Sequence, residues 1–169
     1  MSGTRPGSAR FTPLWGLLRS PQPMPWPAEP SAATGPTVRR RLRVLLVDDE
    51  PASLALIAAR METRGFAALQ AADGAKALAM ACERAFDLIL MDLQMPVLDG
   101  LRATAAIRRF EQQLQRPPAP VLAHSANPPA TEVLARYGFS GSLSKPSSDR
   151  ELEDCLARWC PAHLAGGAD

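Results

Sequence analysis

Neither sign of charge dominates this chain: over 169 residues the formal net charge is +2. Residues 1–40 hold five arginines against Glu29 alone, so the remainder is slightly acidic. A near-neutral folded part offers no electrostatic footprint for nucleic acid. Cysteine is scarce too. Cys82, Cys155 and Cys160 show no C-x-x-C spacing, which excludes a disulfide framework and a zinc site and fits a reducing cytoplasm. No apolar run approaches the ~18 residues of a membrane span. The nearest, Phe11–Leu18, is interrupted by Thr12, Pro13 and Gly16. Aromatics make up only 5% against 46% hydrophobic residues, so Leu, Ala, Val and Ile must fill the core. The expectation is a cytoplasmic protein with neither nucleic acid nor membrane as partner.

Residues 1–40 contain eight of the 17 prolines, including the alternation Pro21-Gln22-Pro23-Met24-Pro25-Trp26-Pro27. Such a segment cannot form a helix interior or a central strand, and it reads as a disordered extension with polyproline II character. From Leu42 the pattern becomes regular. Leu42–Val47, Phe66–Gln70, Phe86–Met91, Pro120–His124 and Phe139–Leu143 read as strands. Helices are expected from Pro51, from Asp73-Gly74 to about Arg84, from Asp99 to about Phe110, near Thr131–Tyr137, and after the capping box Ser148-Asp149-Arg150-Glu151. Strands alternating with helices mean an α/β protein with a parallel, doubly wound sheet. The folded domain is placed at 41–160, with a disordered tail at 161–169.

Four of these strands stop abruptly at a chemically active group: Asp48-Asp49, Asp92, Ser125 and Lys145. Ligands of open α/β sheets sit at the carboxyl ends of the strands, so these side chains converge on one rim. Adjacent carboxylates repel and call for a hard cation, and magnesium takes oxygen ligands of this kind. Beside such an ion, Asp92 can attack phosphorus to form an acyl phosphate, while Lys145 neutralises the transferring group and Ser125 donates a hydrogen bond to it. A Ser-His reading of His124-Ser125 fails, because neighbours on a strand face opposite sides and no G-x-S-x-G elbow is present.

The stretches Val47-Asp48-Asp49-Glu50-Pro51, Ala72-Asp73-Gly74, Phe86 to Pro96 with Asp99-Gly100, and Leu143-Ser144-Lys145-Pro146 occur in this order. Together they resemble the receiver domain of bacterial two-component response regulators, in the subtype common in hybrid histidine kinases. The resemblance spans about Leu42 to Trp159. It implies a flavodoxin-like sheet of order 2-1-3-4-5 with five flanking helices. Asp92 is then the phosphoacceptor, served by a histidine kinase or phosphotransfer protein. Asp49 ligates Mg2+ directly, Asp48 acts largely through a water, and the Gln94 main-chain carbonyl completes the protein ligands. Lys145 pairs with the phosphoryl group and Ser125 is the switch hydroxyl. The side chains of Gln94 and Asn127 tune the lifetime of the phosphorylated state.

Two features depart from that pattern. Ser142 stands three residues before Lys145, where an aromatic is usual, with Tyr137 and Phe139 nearby as partial substitutes. The stretch from Ser125 to Lys145 is also short, and the helix within it looks curtailed. The expectation is a single-domain response regulator, a switch or relay carrier rather than a conventional enzyme, acting on a protein target that the sequence does not name. The alternative is a receiver-like interaction module that is never phosphorylated. A metal-dependent phosphohydrolase is disfavoured because Gln94 occupies the place of its second catalytic acid.

Overall fold

The computed structural model describes residues 40–161. The expected disordered extension and C-terminal tail lie, apart from Arg40 and Pro161, outside the described residues.

Five strands, β1 (Arg43–Val47), β2 (Ala67–Ala71), β3 (Leu88–Met91), β4 (Val121–Ser125) and β5 (Gly141–Ser144), alternate with five helices. The helices are α1 (Pro51–Glu62), α2 (Gly74–Glu83), α3 (Gly100–Gln113), α4 (Thr131–Arg136) and α5 (Asp149–Trp159). All strand pairs are parallel, in the order β2-β1-β3-β4-β5. The central strands β3 and β4 are buried at every position and β1 at all but its first, which is why Val44–Val47, Leu88–Met91 and Val121–Ala123 read as apolar runs. The edge strands β2 and β5 are only partly covered.

Alternation along the strands divides the core into two layers. Val44, Leu46, Leu88, Leu90, Leu122 and Leu143 meet Leu54, Ile57 and Met61 of α1 and Leu152 and Leu156 of α5. Leu45, Val47, Ile89, Met91, Val121 and Ala123 face Ala77 of α2, Ala103 and Ile107 of α3, and Leu134 of α4.

Local signals set the helix starts. Pro51 takes the first-turn position where its missing N–H costs nothing. Asp73 and Asp99 cap α2 and α3 by accepting the amides of Lys76 and Arg102, each at 2.8 Å. Ser148 and Glu151 form the expected reciprocal box on α5.

Several boundaries shift by one residue, and three differ by two or more, each for a tertiary reason. β5 begins at Gly141 rather than Phe139, because the Phe139 amide closes α4 on the Leu134 carbonyl and its ring joins the core. β3 begins at Leu88, since Phe86 is buried but lies before the ladder. The polar end of α3 runs past Phe110 because Glu111 is buried, held by Arg108 at 2.6 Å and by the Ala119 amide at 2.9 Å.

Candidate functional site

Backbone pairing brings the active groups to one rim. The Asp48 amide donates to the Ala71 carbonyl, that of Asp92 to Val47, and that of Lys145 to Ser125, at 3.1, 2.9 and 3.0 Å. Each residue is therefore the first past a strand end, still tied to the neighbouring strand while its side chain is released from the pleat.

Lys145 Nζ lies 2.6 Å from Asp48 Oδ2 and 2.7 Å from Asp92 Oδ2, so a single ammonium bridges two strand ends. Oxygen atoms of Asp48, Asp49 and Asp92 all fall within 4.8 Å of one another. Three carboxylates and one ammonium leave an excess of negative charge. The donor set is entirely hard oxygen, so these residues fit a magnesium-type cation.

The two adjacent aspartates are not equivalent. Asp48 is 2% exposed and fully committed: Oδ1 accepts the Glu50 amide at 3.0 Å, and Oδ2 accepts Ser53 Oγ at 2.5 Å besides Lys145. Asp49 is exposed and its carboxylate makes no hydrogen bond among the described residues, so it is the acid available for direct ligation. Burial alone would raise the Asp48 pKa. The hydrogen bonds from Lys145, Ser53 and the Glu50 amide outweigh it and hold the carboxyl below its ordinary range. For Lys145, desolvation pulls downward, but its bonds to Asp48 and Asp92 prevail and keep the ammonium charged.

Asp92 Oδ1 accepts the Gln94 amide at 3.1 Å, which turns the loop away from the strand. The Gln94 side chain is exposed, as is Asn127, two residues beyond β4. That loop closes through the Leu98 amide on the Pro96 carbonyl at 2.8 Å, around Val97 at φ 68°. Ser125 is buried at the end of β4, and its hydroxyl takes no partner among the described residues.

Ser142 is exposed on β5. Phe139 is locked in the core and Tyr137 is half-exposed at the end of α4, which has only six residues. Sequence reasoning passed over Ser53. The only signal was a hydroxyl on the first turn of the helix that follows the acid pair.

His124 is buried on the α1/α5 side of the sheet, with Leu122, while Ser125 alternates to the other layer. It lines a cavity of about 380 Å³ with Ser53, Ile57, Arg60 and Lys145. Burial, reinforced by the Lys145 charge, lowers its pKa from 6.5 to about 4. A depressed imidazole pKa means the unfolded chain binds the proton first. Stability from this group is complete above pH 6.5 and drains away as pH falls toward 4. Urea unfolding should show about 2 kcal/mol lost between pH 7 and pH 5, and His124→Leu should flatten most of that slope. An equal loss in the variant would exonerate the histidine.

Comparison with known proteins agrees with the geometry. A family model described as the response regulator receiver domain matches residues 44–157. The sensor histidine kinase GacS of Pseudomonas protegens is 39% identical over 122 residues, which is 71% of this chain but 13% of that protein. The chain thus spans a small fraction of this curated relative.

Among solved structures, the receiver domain of the sensor histidine kinase PA1611 from Pseudomonas aeruginosa, with magnesium coordinated in its active-site cleft, is 34% identical with a TM-score of 0.63. The match covers 71% of this chain and 98% of that one. The Saccharomyces cerevisiae receiver domain of Ssk1, crystallised with the histidine phosphotransfer protein Ypd1, is 26% identical with a TM-score of 0.68, covering 75% and 94%. No helix among the described residues is long and apolar enough to cross a membrane. A sheet of order 2-1-3-4-5 whose rim gathers three acids, a serine and a lysine, matched by the family model over residues 44–157, makes this chain a member of the response regulator receiver domain family.

Proposed function

We propose that Asp92 accepts a phosphoryl group from a phosphohistidine on a histidine kinase or phosphotransfer protein, and that the phosphorylated chain acts through contacts with another protein. The observation that carries this reading is Lys145 Nζ at 2.7 Å from Asp92 Oδ2, with a second acid, Asp48, steadying the same ammonium. A carboxylate oxygen of Asp92 attacks phosphorus, the imidazole departs, and Lys145 offsets the charge that accumulates on the phosphoryl oxygens. Asp49, with Asp48, Asp92 and the Gln94 carbonyl, would hold Mg2+, whose contribution is further charge neutralisation. Ser125 donates its uncommitted hydroxyl to a phosphoryl oxygen, and this contact is the switch. Gln94 and Asn127 flank the approach of the water that ends the phosphorylated state. The magnesium-bearing PA1611 receiver and the Ypd1-bound Ssk1 receiver support the cation and the donor class respectively. The group makes and breaks its own acyl phosphate, and Gln94 stands where a conventional hydrolase of this kind carries its second acid.

A second reading has one observation in its favour. With Ser142 in place of an aromatic and Phe139 fixed in the core, the usual ring that would report on Ser125 is missing. On that reading the fold serves as an interaction module and is never phosphorylated. Incubation with acetyl phosphate followed by Phos-tag electrophoresis separates the two. A retarded band that forms with Mg2+ and disappears with EDTA is expected; its absence under both conditions would favour the inert module.

A further inference from the structure

Ser53 lies outside the chemistry derived so far, yet it makes the shortest contact to the acid cluster. Its Oγ donates to Asp48 Oδ2 at 2.5 Å from the first turn of α1. Asp48 is thereby gripped from two directions. The Glu50 amide and Ser53 hold it from the β1–α1 side, and Lys145 holds it from the β5 side. The two grips differ in kind. Lys145 is shared with Asp92, so any group that arrives there competes for the ammonium. Ser53 is neutral and fixed to a helix, and its bond to Asp48 is indifferent to events at Asp92. Asp48 is almost completely buried, so water has little access to replace a lost donor.

We propose that Ser53 is a positioning residue for the cation site. It holds the Asp48 carboxylate in the orientation that keeps its oxygen within 4.8 Å of those of Asp49 and Asp92. Loss of a partner that orients a ligating group typically costs about 10–100-fold in metal affinity. Without the hydroxyl, Oδ2 keeps Lys145 as its only side-chain donor among the described residues, and the carboxylate follows that ammonium as it turns toward Asp92. The inference rests on the proposed reading of the acidic cluster as a magnesium site.

Calorimetric titration of the full chain with MgCl2 tests it directly, using wild type, Ser53→Ala and Ser53→Thr. Ser53→Ala should bind about tenfold more weakly, and Ser53→Thr, which keeps the hydroxyl, should restore the affinity. In acetyl phosphate labelling, the magnesium concentration for half-maximal rate should rise by the same factor for Ser53→Ala. The rate at saturating magnesium should stay close to wild type, a split that a purely structural role would not produce. Melting curves without magnesium confirm that the variants are folded. Equal affinity in wild type and Ser53→Ala overturns the proposal, as does an equal loss in both variants. Failure of the wild type itself to bind magnesium would instead bring down the underlying reading of the site.

Discussion

Asp92→Asn should leave no phosphorylated protein after incubation with acetyl phosphate and magnesium, while the variant remains folded. The amide removes the anionic nucleophile but preserves the shape of the side chain. One acceptor oxygen still meets the Gln94 amide, which sits 3.1 Å from Oδ1 in the native chain. Lys145 loses one of its two carboxylates and keeps Asp48 at 2.6 Å, so the ammonium is not left unpaired in the cleft. The expected stability change is therefore no more than about 2 kcal/mol, the order of one charge-assisted hydrogen bond. Phos-tag electrophoresis reads the label and a urea titration reads the stability. A retained band of wild-type intensity would move the nucleophile elsewhere, with Asp49 as the exposed acid of the same cluster.

The residues that carry this prediction were legible in the sequence because strand ends punctuate a buried parallel sheet. A buried strand favours apolar residues, so Asp48, Asp92, Ser125 and Lys145 stood out after Leu45–Val47, Leu88–Met91, Val121–Ala123 and Leu143. The helix starts were legible for a similar reason. Pro51, Asp73, Asp99 and Ser148 satisfy amides within three residues of themselves or lack one, and such local bonds leave a local pattern.

What could not be read depended on partners distant along the chain. Phe139 was apolar enough to pass for a strand residue, but its amide belongs to the end of α4 and its ring to the core. Arg108 looks like an ordinary surface cation on an amphipathic helix. In the structure it donates to the carbonyls of Gly138 and Ala119, each at 2.8 Å, and to Glu111, tying the end of α3 to two loops. The division of labour between Asp48 and Asp49 was implied only by the family resemblance, since the residues themselves are two identical acids. Burial and the bonds from Glu50, Ser53 and Lys145 to Asp48 tell them apart.

The second large effect concerns Gly100, the first residue of α3, and it is a matter of space. A Cβ built there would sit 2.0 Å from the carbonyl oxygen of Asp92, 2.9 Å from its carbonyl carbon and 3.0 Å from Leu93 Cα. All three obstacles are backbone, so no rotamer change relieves them. The helix must withdraw from the Asp92–Leu93 segment, or that segment must shift and carry the phosphoacceptor with it. Gly100→Ala should therefore cost about 3 kcal/mol or more, the upper range for forced overpacking. It should also slow labelling of Asp92 even at temperatures where the variant is fully folded.

Gly65→Ala is the matching control. Nothing lies within 4 Å of a Cβ at that position, but its φ of +83° is unfavourable for an L side chain. The cost there should be about 1–2 kcal/mol from backbone strain alone, with labelling at the wild-type rate, because the turn after α1 is remote from the acids. Thermal melts paired with acetyl phosphate labelling at low temperature distinguish the two glycines. If Gly100→Ala melted and labelled like wild type, the close approach of α3 to the Asp92 carbonyl would be refuted, and with it the claim that this helix sets the position of the nucleophile.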